Sequence, residues 1–294
     1  MNAPETQPRF VPKQALAPTP DLYNELVADC MENLAEASLN LLGPFPNGSI
    51  IHDNGCGTGA GTTAILAAAA AVGADDISIT GTDINDSALS IYRKRATVEG
   101  WPADAVHADA TKLDCFGEAT CTHSLSNALL FVLPDNDDDN DAGTAVATIR
   151  EAYRTLQPGG VAVFNSWKYL PNMSAIAAAS QETRPEGTPV PRAGKDKWSS
   201  AEFLRGVVEK GGFVSEQVTM HEAPVSVTTA ALDRYANMLW SFIGGTTTAG
   251  WLESSDEENW DRAIEIIKQE LRKTEGARIR ICSQYKICFM VLRV

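Results

Sequence analysis

Apolar and polar positions along the chain follow two rhythms. Residues 49–53 form an apolar run that ends on Asp53 and enters alternating glycines, and an alanine-rich stretch at 62–72 has helical character. Further short apolar runs predict strands at 77–82, 105–108, 122–125 and 161–166. Between them, residues 87–99 are spaced as a helix, and Val146, Ile149, Tyr153 and Leu156 share one helical face that Pro158-Gly159-Gly160 should terminate. Strand alternating with helix predicts a parallel sheet covered by helices on both faces.

The flanks read differently. Residues 1–20 are rich in proline and polar groups and predict an arm with little regular structure. After Pro20-Asp21, Leu22, Leu26, Cys30, Leu34 and Ala37 recur at helical spacing, so one helix is expected up to Gly43-Pro44. Residues 170–200 lack a sustained period and predict a loop-rich cover, whereas 200–210 should be a helix ended by Gly211-Gly212, with a strand from Phe213. A long excursion at 232–276 follows. Its second half has Ser254-Ser255 as caps, acids at 256–258, and Trp260, Ile264, Ile267 and Leu271 on one face. The last strand, residues 279–292, is apolar on both faces from 287 to 292, which places it inside the sheet.

Charge narrows the partners. A net charge of −14 would repel a phosphate backbone, so no nucleic-acid partner is expected. The N-terminal residues lack the pattern of a signal peptide, and the longest apolar run, 64–72, is too short to span a bilayer, so a cytoplasmic protein with no membrane partner is expected. The six cysteines include no Cys-x-x-Cys pair and read as reduced thiols. The acidic run at 135–141 lacks the glycine and the glutamate of a calcium loop, so no metal is expected.

Chemistry concentrates at the first strand. Gly55, Gly57 and Gly59 supply a turn without Cβ atoms, where backbone N–H groups and the positive end of the next helix can close on a ligand. Gly55-x-Gly57-x-x-Ala60 also satisfies a relaxed dinucleotide fingerprint, which keeps an NAD-binding oxidoreductase as an alternative. Asp53 argues against it, since a carboxylate repels a pyrophosphate and attracts a sulfonium. Asp53-Asn54-Gly55-Cys56-Gly57-Thr58-Gly59 resembles motif I of the class I S-adenosylmethionine-dependent methyltransferases, and Asn before the first glycine is similar to fungal small-molecule, gliotoxin-type thiol methyltransferases. The motif likeness runs from about residue 49 to 167 and becomes looser towards the C-terminus.

The resemblance implies a Rossmann-like α/β fold with a seven-stranded sheet, helices on both faces and an inserted helical cap. It divides the chain into an N-terminal arm and lid helix (1–45) and a methyltransferase domain (46–294) with insertions at about 170–200 and 232–276. It also implies S-adenosyl-L-methionine as cofactor and S-adenosyl-L-homocysteine as product. Asp83 would take the ribose hydroxyls, Ile84 would pack on the adenine, Asp109 and Ala110 would contact the adenine edge, and Asn127 would face the methionine end. Asp83 lies near the spacing of about 20 residues expected after such a turn.

Asn165, Trp167 and Tyr169 follow the expected fifth strand and should rim the acceptor side. Trp240 and Trp251, in the second insertion, are further acceptor-binding candidates. His221 and Trp167 are the candidates for a catalytic role, although methyl transfer can proceed by alignment and exclusion of water. The expected activity is transfer of a methyl group to an O, S or N atom of a small, largely apolar acceptor in secondary metabolism, by a monomer or homodimer. A non-methylating relative that binds or rearranges a small molecule is the other alternative.

Overall fold

The apolar runs become β1 (Ser49–Asn54), β2 (Ile77–Asp83), β3 (Ala103–His107), β4 (Cys121–Ser126) and β5 (Leu156–Tyr169), with β6 (Val218–Thr228), β7 (Ala277–Arg278) and β8 (Arg280–Arg293) further on. The computed structural model describes residues 10–294 except 41, 43, 135–141, 194, 229–230, 248, 274–276, 279 and 294, and for residues 226 and 277–293 the backbone alone. The acidic run, residues 1–9 of the N-terminal arm and the side chains of Cys282 and Cys288 lie outside the described residues.

The strands lie in the order β3-β2-β1-β4-β5-β8-β6, with β7 paired to β8. β1 to β5 form a parallel platform and β8 runs antiparallel beside β5. The last strand therefore sits inside the sheet, as its apolar run suggests. Pro158-Gly159-Gly160 does not separate a helix from a strand. β5 starts at Leu156, directly after its helix, and its register with β4 shifts between Cys121/Leu156 and His123/Val161, so these residues form an irregularity within the strand.

Two compact units account for the chain. One comprises Asp29–Tyr169, Asp196–Ser226 and Tyr285–Val294 and holds the platform. On one face Ile51, Ile79, Leu125 and Val163 pack with Ala35 and Leu39 of α2 (Cys30–Leu39) and Ala64 and Ile65 of α3 (Ala60–Ala71). Ala162 and Phe164 point the other way, to Ile149 of α5 (Gly143–Thr155) and Leu204 and Val208 of α7 (Ala201–Lys210). α4 (Asp86–Glu99) buries Leu89 and Tyr92 against Cys56.

The other unit comprises Met1–Ala28, Leu170–Lys195 and Val227–Gln284. It is helical: α1 (Pro20–Val27), α6 (Pro171–Thr183), α8 (Leu232–Ile243) and α9 (Trp260–Arg272) share a core containing Leu22, Ile176, Leu239, Trp240, Trp260 and Ile267. Residues 170–200 are thus not loop throughout. Pro171 occupies the first turn of α6, where its missing N–H costs nothing, and Ala175, Ile176 and Ala179 form its buried stripe.

The expected single N-terminal helix is two. Ala28 takes φ 43° and its N–H closes on the Asn24 carbonyl, ending α1 before α2 begins. The helix at 260–272 is preceded by Asn259, not by Ser254-Ser255, because residues 252–259 form turns around the buried Asp256.

Candidate cofactor site

The glycine turn is fixed to the end of β2. The N–H groups of Gly55 and Cys56 donate to the Thr82 carbonyl at 2.8 and 2.9 Å, and Gly55, Gly57 and Gly59 all take positive φ. Gly57, at φ 53°, is the telling position. No protein atom lies within 4 Å of where a Cβ would be, so the turn opens into space at that point.

Asp83 ends β2 and joins the turn to α4. Its Oδ2 accepts the Gly57 N–H at 2.9 Å and its Oδ1 accepts the Asn85 N–H at 2.8 Å, while Asn85 caps α4 through the Ser87 and Ala88 N–H groups. A carboxylate has about four acceptor sites, so two donors leave room for hydroxyls.

Asp53 is placed differently from the open mouth that its sequence position suggests. It is 1% exposed, and its Oδ2 accepts the Thr62 hydroxyl at 2.8 Å, which also meets Tyr92 Oη at 2.7 Å. Burial pushes its carboxyl up to about 6 against the hydrogen bonds of Thr62, and the nearby Asp83 charge adds to the rise. Asp53 Oδ1 and Asn54 Oδ1 are buried with no hydrogen-bond partner among the described residues.

Asp109 follows β3. Its Oδ1 accepts the Thr111 N–H and hydroxyl at 2.8 and 2.7 Å, which holds its carboxyl below the usual range, and Ala110 is next in the same turn. Ile84 is 65% exposed beside Asp83, available to a flat ligand. Asn127 follows β4 and donates from Nδ2 to the Met31 carbonyl at 2.9 Å. The burial of Cys56 pushes its thiol far above the ordinary value, so it stays protonated.

Other expected residues part company. Asn165, Trp167 and Tyr169 lie within β5 and do not follow it: Asn165 has no exposed surface, Trp167 is buried and Tyr169 is exposed. His221 lies within β6, half-buried. Trp240 is fully buried in the helical unit, its ring 5.7 Å from that of Trp251, which in turn lies 5.7 Å from Trp260. Trp240 is therefore core and offers no surface to an acceptor, and Trp251 covers Gly244 and Gly245. His52 and His123 are driven down to about 3 and about 4 by burial and stay neutral, as structural histidines.

Several contributors carry no signature in the sequence. Gly61 lets α3 approach Asp53, since a Cβ there would lie 2.6 Å from Oδ1. Arg95 donates to the Thr58 carbonyl at 3.1 Å and to Glu32 Oε1 at 3.3 Å, with its guanidinium 4.9 Å from the Trp101 ring. An arginine on a polar helix face reads from sequence as solvated.

The open approach at Gly57, the unpartnered oxygens of Asp53 and Asn54 and the acceptor capacity of Asp83 fit a ligand that carries hydroxyls and a positive charge. Residues 51–160 match the family model described as "Methyltransferase domain". The chain is 28% identical over 192 residues to the acetylaranotin bis-thiomethyltransferase of Aspergillus terreus. That match covers 62% of this chain and 61% of the relative, so the chain spans less than two-thirds of the length of this curated protein.

Solved structures share the fold. A structure described as "Conversion of a Disulfide Bond into a Thioacetal Group during Echinomycin Biosynthesis" has a TM-score of 0.50 at 19% identity, covering 88% of this chain and 80% of its own. The crystal structure of MccD protein has a TM-score of 0.50 at 16% identity, covering 88% and 96%. Among the described residues no helix is long and apolar enough to cross a membrane, and no group of three or more His, Cys, Asp or Glu could hold a metal ion.

Proposed function

We propose that this chain transfers the methyl group of S-adenosylmethionine to a small, largely apolar acceptor in secondary metabolism, with sulfur as the favoured acceptor atom. The observation that carries the reading is the opening of the turn at Gly57 beside a carboxylate, Asp83, that already holds the turn and retains acceptor capacity. The strand order, with β8 between β5 and β6, supports reading the sheet as the seven-stranded class I pattern, β7 being a two-residue extension. Likeness to a bis-thiomethyltransferase supports sulfur.

When bound, the cofactor supplies an electrophilic methyl group on a sulfonium. The chain's own residues bind and orient it. Asp83 takes the ribose hydroxyls, Ile84 covers the adenine, Asp109 and the Ala110 N–H meet the adenine edge, and Asn54 and Asn127 meet the methionine end. The backbone of Gly55, Cys56, Gly57 and Gly59 approaches the ligand directly, and Asp53 sets the negative potential beneath the sulfonium. Trp167 and Tyr169, at the carboxyl end of β5, are assigned to the acceptor side, with His221 as a candidate proton acceptor. A thiolate acceptor needs no base, and alignment with exclusion of water then provides most of the acceleration.

Calorimetric titration of the protein with S-adenosylhomocysteine and, separately, with NAD tests the cofactor. One-site binding of the first and none of the second is expected, and the reverse would replace the reading with an oxidoreductase. Labelled methyl donor offered with dithiol, phenol and amine acceptors tests the acceptor atom. Label on sulfur is expected. S-adenosylhomocysteine binding without transfer to any of them would make the chain a non-methylating relative.

A further inference from the structure

The carboxyl ends of β4 and β5 carry a side-chain network of which the proposed function uses only Asn127. Asn165 has no exposed surface and engages both ends of its amide. Its Nδ2 donates to Ser38 Oγ at 3.0 Å and to Asn127 Oδ1 at 2.8 Å, and its Oδ1 accepts the Ala128 N–H at 2.7 Å. Asn127 passes the connection on, Nδ2 donating to the Met31 carbonyl at 2.9 Å, and Ser38 donates to the Leu34 carbonyl at 2.9 Å. α2 is thereby tied to both strand ends through residues 31 and 38.

The network admits one arrangement. Turning the Asn165 amide over would set its NH₂ against the Ala128 N–H and its oxygen against Asn127 Oδ1, losing three bonds at a buried position. Ala128 sits at φ 57°, a conformation uncommon for alanine, and its N–H is received by Asn165. Asn165 therefore dictates which way the Asn127 amide points. Asn127 keeps one N–H beyond the bond to Met31.

We infer that Asn165 is a positioning residue for the methionine end of the cofactor, acting through Asn127, and that the same network makes occupancy of the site and docking of α2 a single event. The inference rests on the cofactor reading above. It replaces the acceptor-rim role that the place of Asn165 in the sequence suggests.

The test is a double-mutant cycle read by S-adenosylhomocysteine titration. Asn165→Asp keeps shape and the acceptor for Ala128 but cannot donate to Asn127 or Ser38. It should weaken binding about tenfold, Asn127→Ala by about as much, and the double variant no more than the weaker single variant. A double variant weakened by the product of the two, about a hundredfold, overturns the inference, as does Asn165→Asp that melts lower yet binds as wild type.

Should Asn165→Asp fail to fold, hydrogen exchange in α2 decides. S-adenosylhomocysteine should slow exchange of residues 30–39 in the wild type and do so less in Ser38→Ala, and no ligand effect in the wild type overturns the inference. A wild-type protein that does not bind S-adenosylhomocysteine removes the cofactor reading itself. Normal wild-type binding with an indifferent Asn165→Asp removes only the positioning role.

Discussion

Carboxylates are handled in opposite ways in the two units. In the helical unit Asp256 is fully buried and saturated: Arg184 Nε donates to its Oδ1 at 2.8 Å and Nη2 to its Oδ2 at 2.9 Å, and the Leu252 N–H reaches Oδ2 at 2.6 Å. Arg184 is equally provided for, with the Gly244 carbonyl at 2.8 Å and the Trp240 and Trp251 rings 5.0 and 5.6 Å from its guanidinium carbon. At the glycine turn, Asp53 and Asp83 accept only neutral donors, and among the described residues neither forms an ion pair. A saturated pair serves the fold. Carboxylates without a cation, one buried beneath the turn and one beside it, are what the proposed cationic ligand would complete.

The largest expected effect breaks the saturated side. Arg184→Met leaves Asp256 buried without its cation and should cost about 3–5 kcal/mol in denaturant unfolding, of which Arg184→Met/Asp256→Leu recovers a large part. A cost below about 1 kcal/mol would mean that the pair is solvated and the contrast false. Next, Gly57→Val forces a branched side chain into a left-handed position and into the open approach. S-adenosylhomocysteine binding should fall by about a hundredfold or more while the ligand-free melting temperature changes by only a few degrees.

Asp83→Ala sharpens the open side. One charge-assisted pair is worth about 1.5–3 kcal/mol, so titration should show affinity weaker by about ten- to a hundredfold, with Asp83→Asn less affected. Unchanged affinity would remove Asp83 from the site.

The effect expected at Asp53 has a definite sign. Its carboxyl stands at about 6 in the fold against an ordinary 3.8, so the native state binds the proton more tightly than the unfolded chain. Its contribution to stability is fully present below about pH 4 and is lost as pH rises through 6. Asp53→Asn should therefore be more stable than wild type at pH 7, by about 3 kcal/mol, and most of that advantage should be lost on acidification to pH 4. Its preference for the sulfonium cation over S-adenosylhomocysteine should fall as well. Parallel melting curves of the two proteins from pH 4 to 7 would refute the assignment.

Much of the sheet unit was legible because its signals are local. Asp53 to Gly59, Asp83 and Asp109 each occupy a strand end that the sequence marks by where an apolar run stops. What escaped was set by neighbours distant in the chain. Nothing near Ala28 announces a break, since neither glycine nor proline marks it, and the stripe of α6 is built from alanines whose periodicity is faint. Trp240 was read from its chemistry as a ligand surface, but three packed helices closed over it. The role of Asn165 depends on Ser38 and Asn127, which only folding brings within reach.

The place of β8 has a consequence for the order in which the protein can be made. Because β8 separates β5 from β6, each of those strands presents an unpaired edge until residues 280–293 have left the ribosome. The helical unit likewise waits for segments as distant as residues 22 and 271. During synthesis the parallel platform can form early, yet its open edge must survive without a partner until β8 has been made. The interval before the last strand inserts is when the nascent chain is most exposed to edge-to-edge association.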